Sequence, residues 1–357
     1  MKALITAGGR ATRLRPITHT LNKHLIPLAG EPMIFHAIRK IAEAGITEIA
    51  INVNPGDTSI AEAVGDGSRW GVKITCIEQV GGPKGLAHIV KNARNFLGDE
   101  PFLFYLGDNI VLGSLDRFVK RFERGDLSCL LALSKVSDPQ RFGVPEIVNG
   151  RIIRVDEKPL QPKSDFAVTG IYIYSSDVFD AVEAIDPSPR GEFEISDAHT
   201  WLIQHGFAVG YEEITGWWKD TGKPDDLLSA NVLLLAEMPS ASMVNQGEVQ
   251  PGAQIAGPVR IGRGTKIDSR TVIVGPVTIG DDCVIEGAII GPNVSIGNRV
   301  RLSWPKIENT IVLDGASIVC PLSITSSLIG SEALIEPSEA GGPVKSMLIS
   351  DHSVVRF

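Results

Sequence analysis

The last third of the chain repeats an apolar residue every six positions. Ile255, Ile261, Ile267, Ile273, Ile279 and Ile285 fall six residues apart without a miss. After one five-residue step the run resumes at Ile290, Ile296 and Leu302; Val312, Ile318 and Ile324 repeat it, followed by Ile329 and Ile335. Gly262, Gly280, Gly291, Gly297 and Gly330 each follow one of these anchors. No helix has a period of six. A triangular parallel β-helix does, because each hexad forms one face and its anchor points into the stacked core. The pattern fixes architecture and says almost nothing about chemistry.

Upstream the period changes. Lys2 to Thr6 reads as a buried strand; Met33, Ile34, Ala37, Ile38 and Ile41 then recur at helical spacing, with Gly45 as the stop. Ile49 to Val53 and Val72 to Ile77 are strand-like, Ile60 to Val64 helical, Leu86 to Leu97 an amphipathic helix, and Phe102 to Leu106 an apolar strand. Such alternation predicts an α/β domain, helices covering a mostly parallel sheet, whose ligands sit at the carboxyl ends of strands. A last helix over 225–237 precedes Pro239-Ser240-Ala241-Ser242, which reads as a linker. The expected domains are therefore 1–238 and 239–357.

Composition narrows the function. A net charge of −8 argues against a nucleic-acid binder. No apolar run approaches the ~20 residues that span a bilayer, and the first residues carry too short an apolar stretch for a signal peptide. The expectation is a cytoplasmic protein with no membrane partner. Cys76, Cys129, Cys283 and Cys320 lie far apart and read as ordinary buried thiols. Yet Lys2, Arg10, Arg13, Arg15 and Lys23 all precede the first acidic residue, Glu31, so a small polyanion has a local site here.

Four segments carry candidate chemistry. Gly8-Gly9-Arg10-Ala11-Thr12-Arg13 follows the first strand; glycines let backbone N–H groups approach phosphates, and arginine forks onto phosphate oxygens. It is neither a P-loop nor a dinucleotide fingerprint, and taken alone it reads more readily as a glycine turn with solvated arginines. Gly107-Asp108-Asn109 ends an apolar strand and offers a carboxylate to Mg²⁺, or is simply a turn. Trp217-Trp218-Lys219-Asp220 offers a second carboxylate, or a helix cap. Asp156-Glu157-Lys158-Pro159 pairs a carboxylate for sugar hydroxyls with an ammonium for a sugar phosphate, or forms a surface loop.

In order along the chain stand Thr12-Arg13-Leu14-Arg15-Pro16, Lys23-His24-Leu25-Ile26-Pro27, Gly107-Asp108-Asn109, Arg141-Phe142-Gly143-Val144, Glu157-Lys158-Pro159, Val168-Thr169-Gly170, Gly191-Glu192-Phe193-Glu194-Ile195 and Trp218-Lys219-Asp220-Thr221-Gly222. With the hexad tail, the whole chain resembles the long form of the glucose-1-phosphate thymidylyltransferases. That resemblance implies a Rossmann-like, mixed but mostly parallel sheet followed by a left-handed parallel β-helix of hexapeptide repeats. It implies transfer of a nucleotidyl group from a nucleoside triphosphate to a sugar 1-phosphate with release of pyrophosphate, dTTP and glucose 1-phosphate giving dTDP-glucose. By the same resemblance Gly8, Gly9, Thr12, Gln79 and Gly85 hold the nucleotide, and Arg13 and Lys23 its phosphates. Asp108 and Asp220 coordinate Mg²⁺. Gly143, Glu157, Val168 and Thr169 line the sugar site, with Lys158 on the sugar phosphate. Two departures stand out. Ala11 occupies a position usually held by glycine, a substitution costly only if φ is positive. The segment between Gln79 and Gly85 is one residue longer than in the short enzymes, which bears on base selectivity.

Other readings are the same chemistry with UTP, CTP or GTP, a bifunctional enzyme whose β-helix transfers an acyl group, and a non-catalytic nucleotide-sugar-binding subunit. The only histidine past the linker, His352, weighs against acyl transfer; the presence of Asp108, Asp220, Arg13, Lys23 and Lys158 weighs against a lost activity. The β-helix surface also predicts a homo-oligomer.

Overall fold

The computed structural model describes residues 1–9, 11–214, 216, 218–239, 243–337, 348–352 and 354–356. Arg10, Trp217 and the linker residues Ser240–Ser242 lie outside them. The chain divides into two compact units, residues 1–9 with 34–220 and residues 10–33 with 221–357. A boundary at 238/239 follows the change of sequence period; the units follow packing, which places two N-terminal loops' worth of chain with the β-helix.

The first unit is built on β1 (Lys2–Thr6). A short hairpin of β2 (Pro27–Leu28) and β3 (Glu31–Pro32), part of the second unit, leads into α1 (Met33–Glu43). Then come β4 (Glu48–Val53), α2 (Ser59–Val64) and β5 (Lys73–Glu78). β1 is flanked in parallel by β4 and by β6 (Phe102–Leu106). Its residues Ala3 to Ile5 are wholly buried, which is why it reads as an unbroken apolar run. The segment expected as one helix over 86–97 is broken into α3 (Leu86–Asn92) and α4 (Arg94–Leu97). Ala93 N–H is shared between the carbonyls of Ile89 and Val90, a tightening that no glycine or proline announces.

After β6 come β7 (Asn109–Val111), α5 (Asp116–Phe122), β8 (Cys129–Lys135), β9 (Gly143–Val148), β10 (Arg151–Glu157) and β11 (Phe166–Tyr174). α6 (Val178–Ala184), α7 (Ile195–Gln204), β12 (Val209–Glu213) and β13 (Trp218–Asp220) complete the unit. The main sheet runs β12-β8-β11-β6-β1-β4-β5, and only β11 is antiparallel to its neighbours. Phe102, Phe104, Tyr172 and Tyr174 stack on one face over α6 and α7. The four thiols are unpaired, three of them buried.

In the second unit α8 (Pro224–Ala236) precedes the repeats. Three parallel sheets form the prism, and their registers stack Ile261 on Ile279, Ile267 on Ile285 and Ile273 on Ile290. Ile307, which the six-residue count passes over, continues the third stack onto Ile324. The five-residue steps fall at corners, where a turn shortens without displacing the inward residue. Among the described residues no helix is long and apolar enough to cross a membrane.

Candidate active site

β1 and β6 run parallel, so their carboxyl ends deliver Gly8-Gly9 and Gly107-Asp108 side by side. Gly107 N–H donates to both the carbonyl and the hydroxyl of Thr6, at 3.1 and 3.2 Å. Asn54, beyond the end of β4, fixes the glycine turn with two bonds. It accepts from Gly9 N–H at 2.9 Å and donates to Gly9 O at 3.2 Å. The Gly9 amide therefore reaches a phosphate only by exchanging this bond. Nothing in the sequence pattern singled out Asn54; its distance from Gly9 along the chain hides it.

Three sequence segments meet beside that turn. β13 pairs antiparallel with β7, Asp220 opposite Asn109, so Asp108 and Asp220 leave adjacent strands at the same end. The Trp218 indole N–H donates to Asn109 Oδ1 and to Thr169 O, both at 3.0 Å, welding the ribbon to β11. β11 shifts register between Val168 and Tyr172. Gly170 sits in that irregularity at φ +79°, and a Cβ there would lie 2.5 Å from Asn109 Nδ2 and 2.6 Å from Leu106. Only glycine admits so close an approach. Burial pushes the Tyr105 and Tyr172 hydroxyls well up, and the Asp108 charge adds to both. Thr169 spends its hydroxyl on Ala132 O at 2.9 Å and is buried. Its carbonyl, not its side chain, takes the Trp218 bond.

A second cluster gathers around Glu157. β10 pairs with β9 so that Gly143 faces Glu157. Glu157 accepts from Ser196 Oγ at 2.8 Å and pairs with Lys158 Nζ at 2.9 Å and Arg190 at 3.6 Å. Lys158 sits at φ +45°, its N–H held by Phe142 O at 2.9 Å. Arg190 grips the nearly buried Glu194 at 2.8 Å. This arginine was missed by the sequence reading: no helix spans 190–194 to make its spacing to Glu194 a signal, and Glu157 lies far away along the chain. The same segment reaches the loop between Gln79 and Gly85. Phe193 donates to Lys84 O at 2.7 Å and accepts from Ala87 N–H at 3.2 Å, with Gly85 at φ +98° pressed against it. Gln79 is buried, 3.4 Å from His88.

In the second unit, Thr12 to Leu14 form one 3₁₀ turn and Lys23 to Leu25 another, the latter capped by Asn22. Arg13 is exposed and Lys23 buried. Ala11 sits at φ +42°, ψ +39°, so its methyl is in the costly conformation. Lys2 leaves the basic cluster of the sequence: it stands at the opposite end of β1, bonded to Phe96 O at 2.8 Å and 3.6 Å from Glu100.

Among the described residues no three His, Cys, Asp or Glu side chains gather as a metal cage. Asp108 and Asp220, at the same end of the β7–β13 ribbon, are the carboxylates that could serve a hard cation drawing its other oxygens from a ligand and water.

The nucleotidyl transferase family profile matches residues 2–237, and the bacterial transferase hexapeptide profile matches residues 258–287. The chain is 39% identical to a glucose-1-phosphate thymidylyltransferase of Streptomyces griseus, covering 99% of this chain and 98% of that protein. It is 41% identical to the low-salt glycan biosynthesis nucleotidyltransferase Agl11 of Haloferax volcanii, covering 94% of each. A Bacillus anthracis structure assigned as a glucose-1-phosphate thymidylyltransferase, solved in complex with a sucrose, superposes with a TM-score of 0.62 at 40% identity, over 65% of this chain and 94% of that one. A parallel αβ sheet ending in paired glycine and aspartate turns, followed by hexapeptide coils of the left-handed β-helix kind, thus agrees with its relatives along nearly its whole length, and the chain belongs to the nucleotidyl transferase family.

Proposed function

We propose that the protein transfers a thymidylyl group from dTTP to glucose 1-phosphate, releasing pyrophosphate and forming dTDP-glucose. The observation that carries this is the convergence of the 107–109, 168–170 and 218–220 segments beside the Gly8 turn. Relatives along the full length bear the corresponding name.

In this reading a phosphate oxygen of the sugar phosphate attacks the α-phosphorus in line, and pyrophosphate leaves. No protein nucleophile is needed, so rate enhancement rests on positioning and charge. Gly8, Gly9, Thr12, Gln79 and Gly85 hold the nucleotide, and Arg13 and Lys23 offset its phosphate charge. Glu157 takes sugar hydroxyls beside Gly143 and the Val168-Thr169 backbone, while Lys158 draws in the sugar phosphate. Arg190 keeps Glu157 and Glu194 ordered. Mg²⁺, held by Asp108 and Asp220, would supply neutralisation of the triphosphate oxygens; the two-carboxylate pair fits it. The assembly would be a homo-oligomer, checked by light scattering.

The test is purified protein with Mg²⁺, each nucleoside triphosphate and a panel of sugar 1-phosphates, scored by pyrophosphate release. The highest kcat/KM belongs to dTTP with glucose 1-phosphate. A different leading pair replaces the base or the sugar, and no release from any pair overturns the reading.

A further inference from the structure

We infer that the β-helix positions the phosphate-binding loop, with Ser295 and Asn231 as positioning residues for Lys23; the inference rests on the proposed function. Residues 10–33 pack with 221–357 as one unit. The loop is tied down on both sides of Lys23. Before it, the Thr20 hydroxyl bonds one carboxylate oxygen of Asp351, whose other oxygen accepts Ser331 N–H at 2.8 Å. After it, Asn231 Oδ1 accepts from Ala29 N–H at 2.8 Å and from the Ser295 hydroxyl at 2.7 Å. The Thr278 hydroxyl donates to Ser295 Oγ at 3.2 Å, continuing the chain into the prism wall.

This is not how the outer face of a β-helix ordinarily looks. Arg260, Thr278 and Ser295 occupy one outward-pointing ladder. Arg260 is exposed, as an outward residue should be, whereas Thr278 and Ser295 are only 2% exposed. What buries them includes the loop itself. Gly30 lies so close that a Cβ there would come within 3.2 Å of the Thr278 hydroxyl oxygen. Ala29 and Gly30 both hold positive φ, +50° and +82°, so the turn keeps a shape that its surroundings must enforce.

Between the ties Lys23, His24, Ile26 and Leu28 are buried, while Leu21, Leu25 and Pro27 face an open space. This cavity of about 480 Å³ is lined by those three residues on the loop side and by Gln246, Arg260 and Asp281 on the β-helix. The Thr20 and Ala29 ties flank the Lys23 turn beside that cavity, so loss of either lets the turn shift towards the open space.

The test uses full-length protein. Ser295→Ala removes the bond accepted from Thr278 and the tie to Asn231; loss of the tie alone is commonly about 1 kcal/mol, which corresponds to roughly a fivefold change. KM for dTTP should rise about fivefold with KM for glucose 1-phosphate unchanged. Amide exchange over residues 20–29 should quicken, and Ser295→Thr should recover both. Asn231→Ala should act in the same direction more strongly; should it fail to fold, Ser295→Ala carries the test. Val284→Ser, exposed on another face, should leave both KM values at wild-type level. Unchanged dTTP KM and unchanged exchange in Ser295→Ala overturn the inference, as does an equal rise for both substrates. Wild-type protein that releases no pyrophosphate strikes the proposed function instead, and the exchange measurement still reports on the anchor.

Discussion

Two glycines with almost the same backbone conformation separate strain from crowding in this site. Gly125 lies at φ +77° and Gly170 at φ +79°. A Cβ on Gly125 meets nothing within 4 Å, whereas a Cβ on Gly170 comes within 2.5 Å of Asn109 Nδ2 and 2.6 Å of Leu106. Gly125→Ala therefore costs only the left-handed penalty, about 1 kcal/mol. Gly170→Ala adds overpacking of about 1–3 kcal/mol, for roughly 3 kcal/mol together. At about 2–4 °C per kcal/mol for a domain of 150–250 residues, the melting temperature falls by about 3 °C in the first variant and about 9 °C in the second. The clash also pushes on the residue after Asp108, so kcat should drop at least tenfold in Gly170→Ala and stay near wild type in Gly125→Ala. Differential scanning fluorimetry and a pyrophosphate-release assay on the pair give the answer. Equal melting shifts, or a Gly170→Ala enzyme with normal kcat, would refute the claim that Gly170 exists to admit Asn109.

Other substitutions have equally definite outcomes. Ala11→Gly relieves the positive φ and should raise stability by about 1 kcal/mol with activity retained, measured by urea denaturation; a lower midpoint would contradict it. Arg190→Ala leaves the nearly buried Glu194 without its cation and should raise KM for the sugar phosphate about tenfold or more in steady-state kinetics, with KM for dTTP little changed. Burial lowers the His199 pKa to about 3 while the unfolded imidazole titrates near 6.5, so the neutral side chain's contribution is intact above pH 6.5 and declines below it. At pH 5 that amounts to roughly 2 kcal/mol. His199→Gln, which can keep a bond to the Tyr174 hydroxyl, should flatten the stability curve between pH 6.5 and 5.

Periodicity carried most of the fold. The isoleucine hexads foretold the stacked prism, and the apolar runs at 2–6, 49–53 and 102–106 foretold the parallel centre, because both patterns report burial directly. The break at Ala93 was invisible, since a shared hydrogen bond leaves no mark on composition. In the site, residues announced by turn chemistry, such as Gly107-Asp108-Asn109, were legible. Asn54 and Arg190 were not, because their importance comes from partners that only folding brings near. Trp218 was visible as part of a segment, but its task of joining Asn109 to Thr169 required three-dimensional proximity. Lys2 misled, because the five-residue strand β1 separates it from Gly8 and places it at the opposite end of that strand. The pairing of residues 10–33 with the β-helix had no local signal at all, since the polar anchors Thr278, Ser295 and Asn231 are ordinary residues individually.

The central claim is that carboxylates at Asp108 and Asp220, brought together by two short strands, run nucleotidyl transfer with a divalent cation. Phosphorus NMR of wild-type, Asp108→Asn and Asp220→Asn proteins with dTTP, glucose 1-phosphate and titrated Mg²⁺ tests it most directly. Wild type should convert both substrates to pyrophosphate and dTDP-glucose only when Mg²⁺ is present, and each variant should turn over at least about 10²-fold more slowly. Equal product formation after Mg²⁺ is chelated, or near-normal turnover in either variant, would contradict the account.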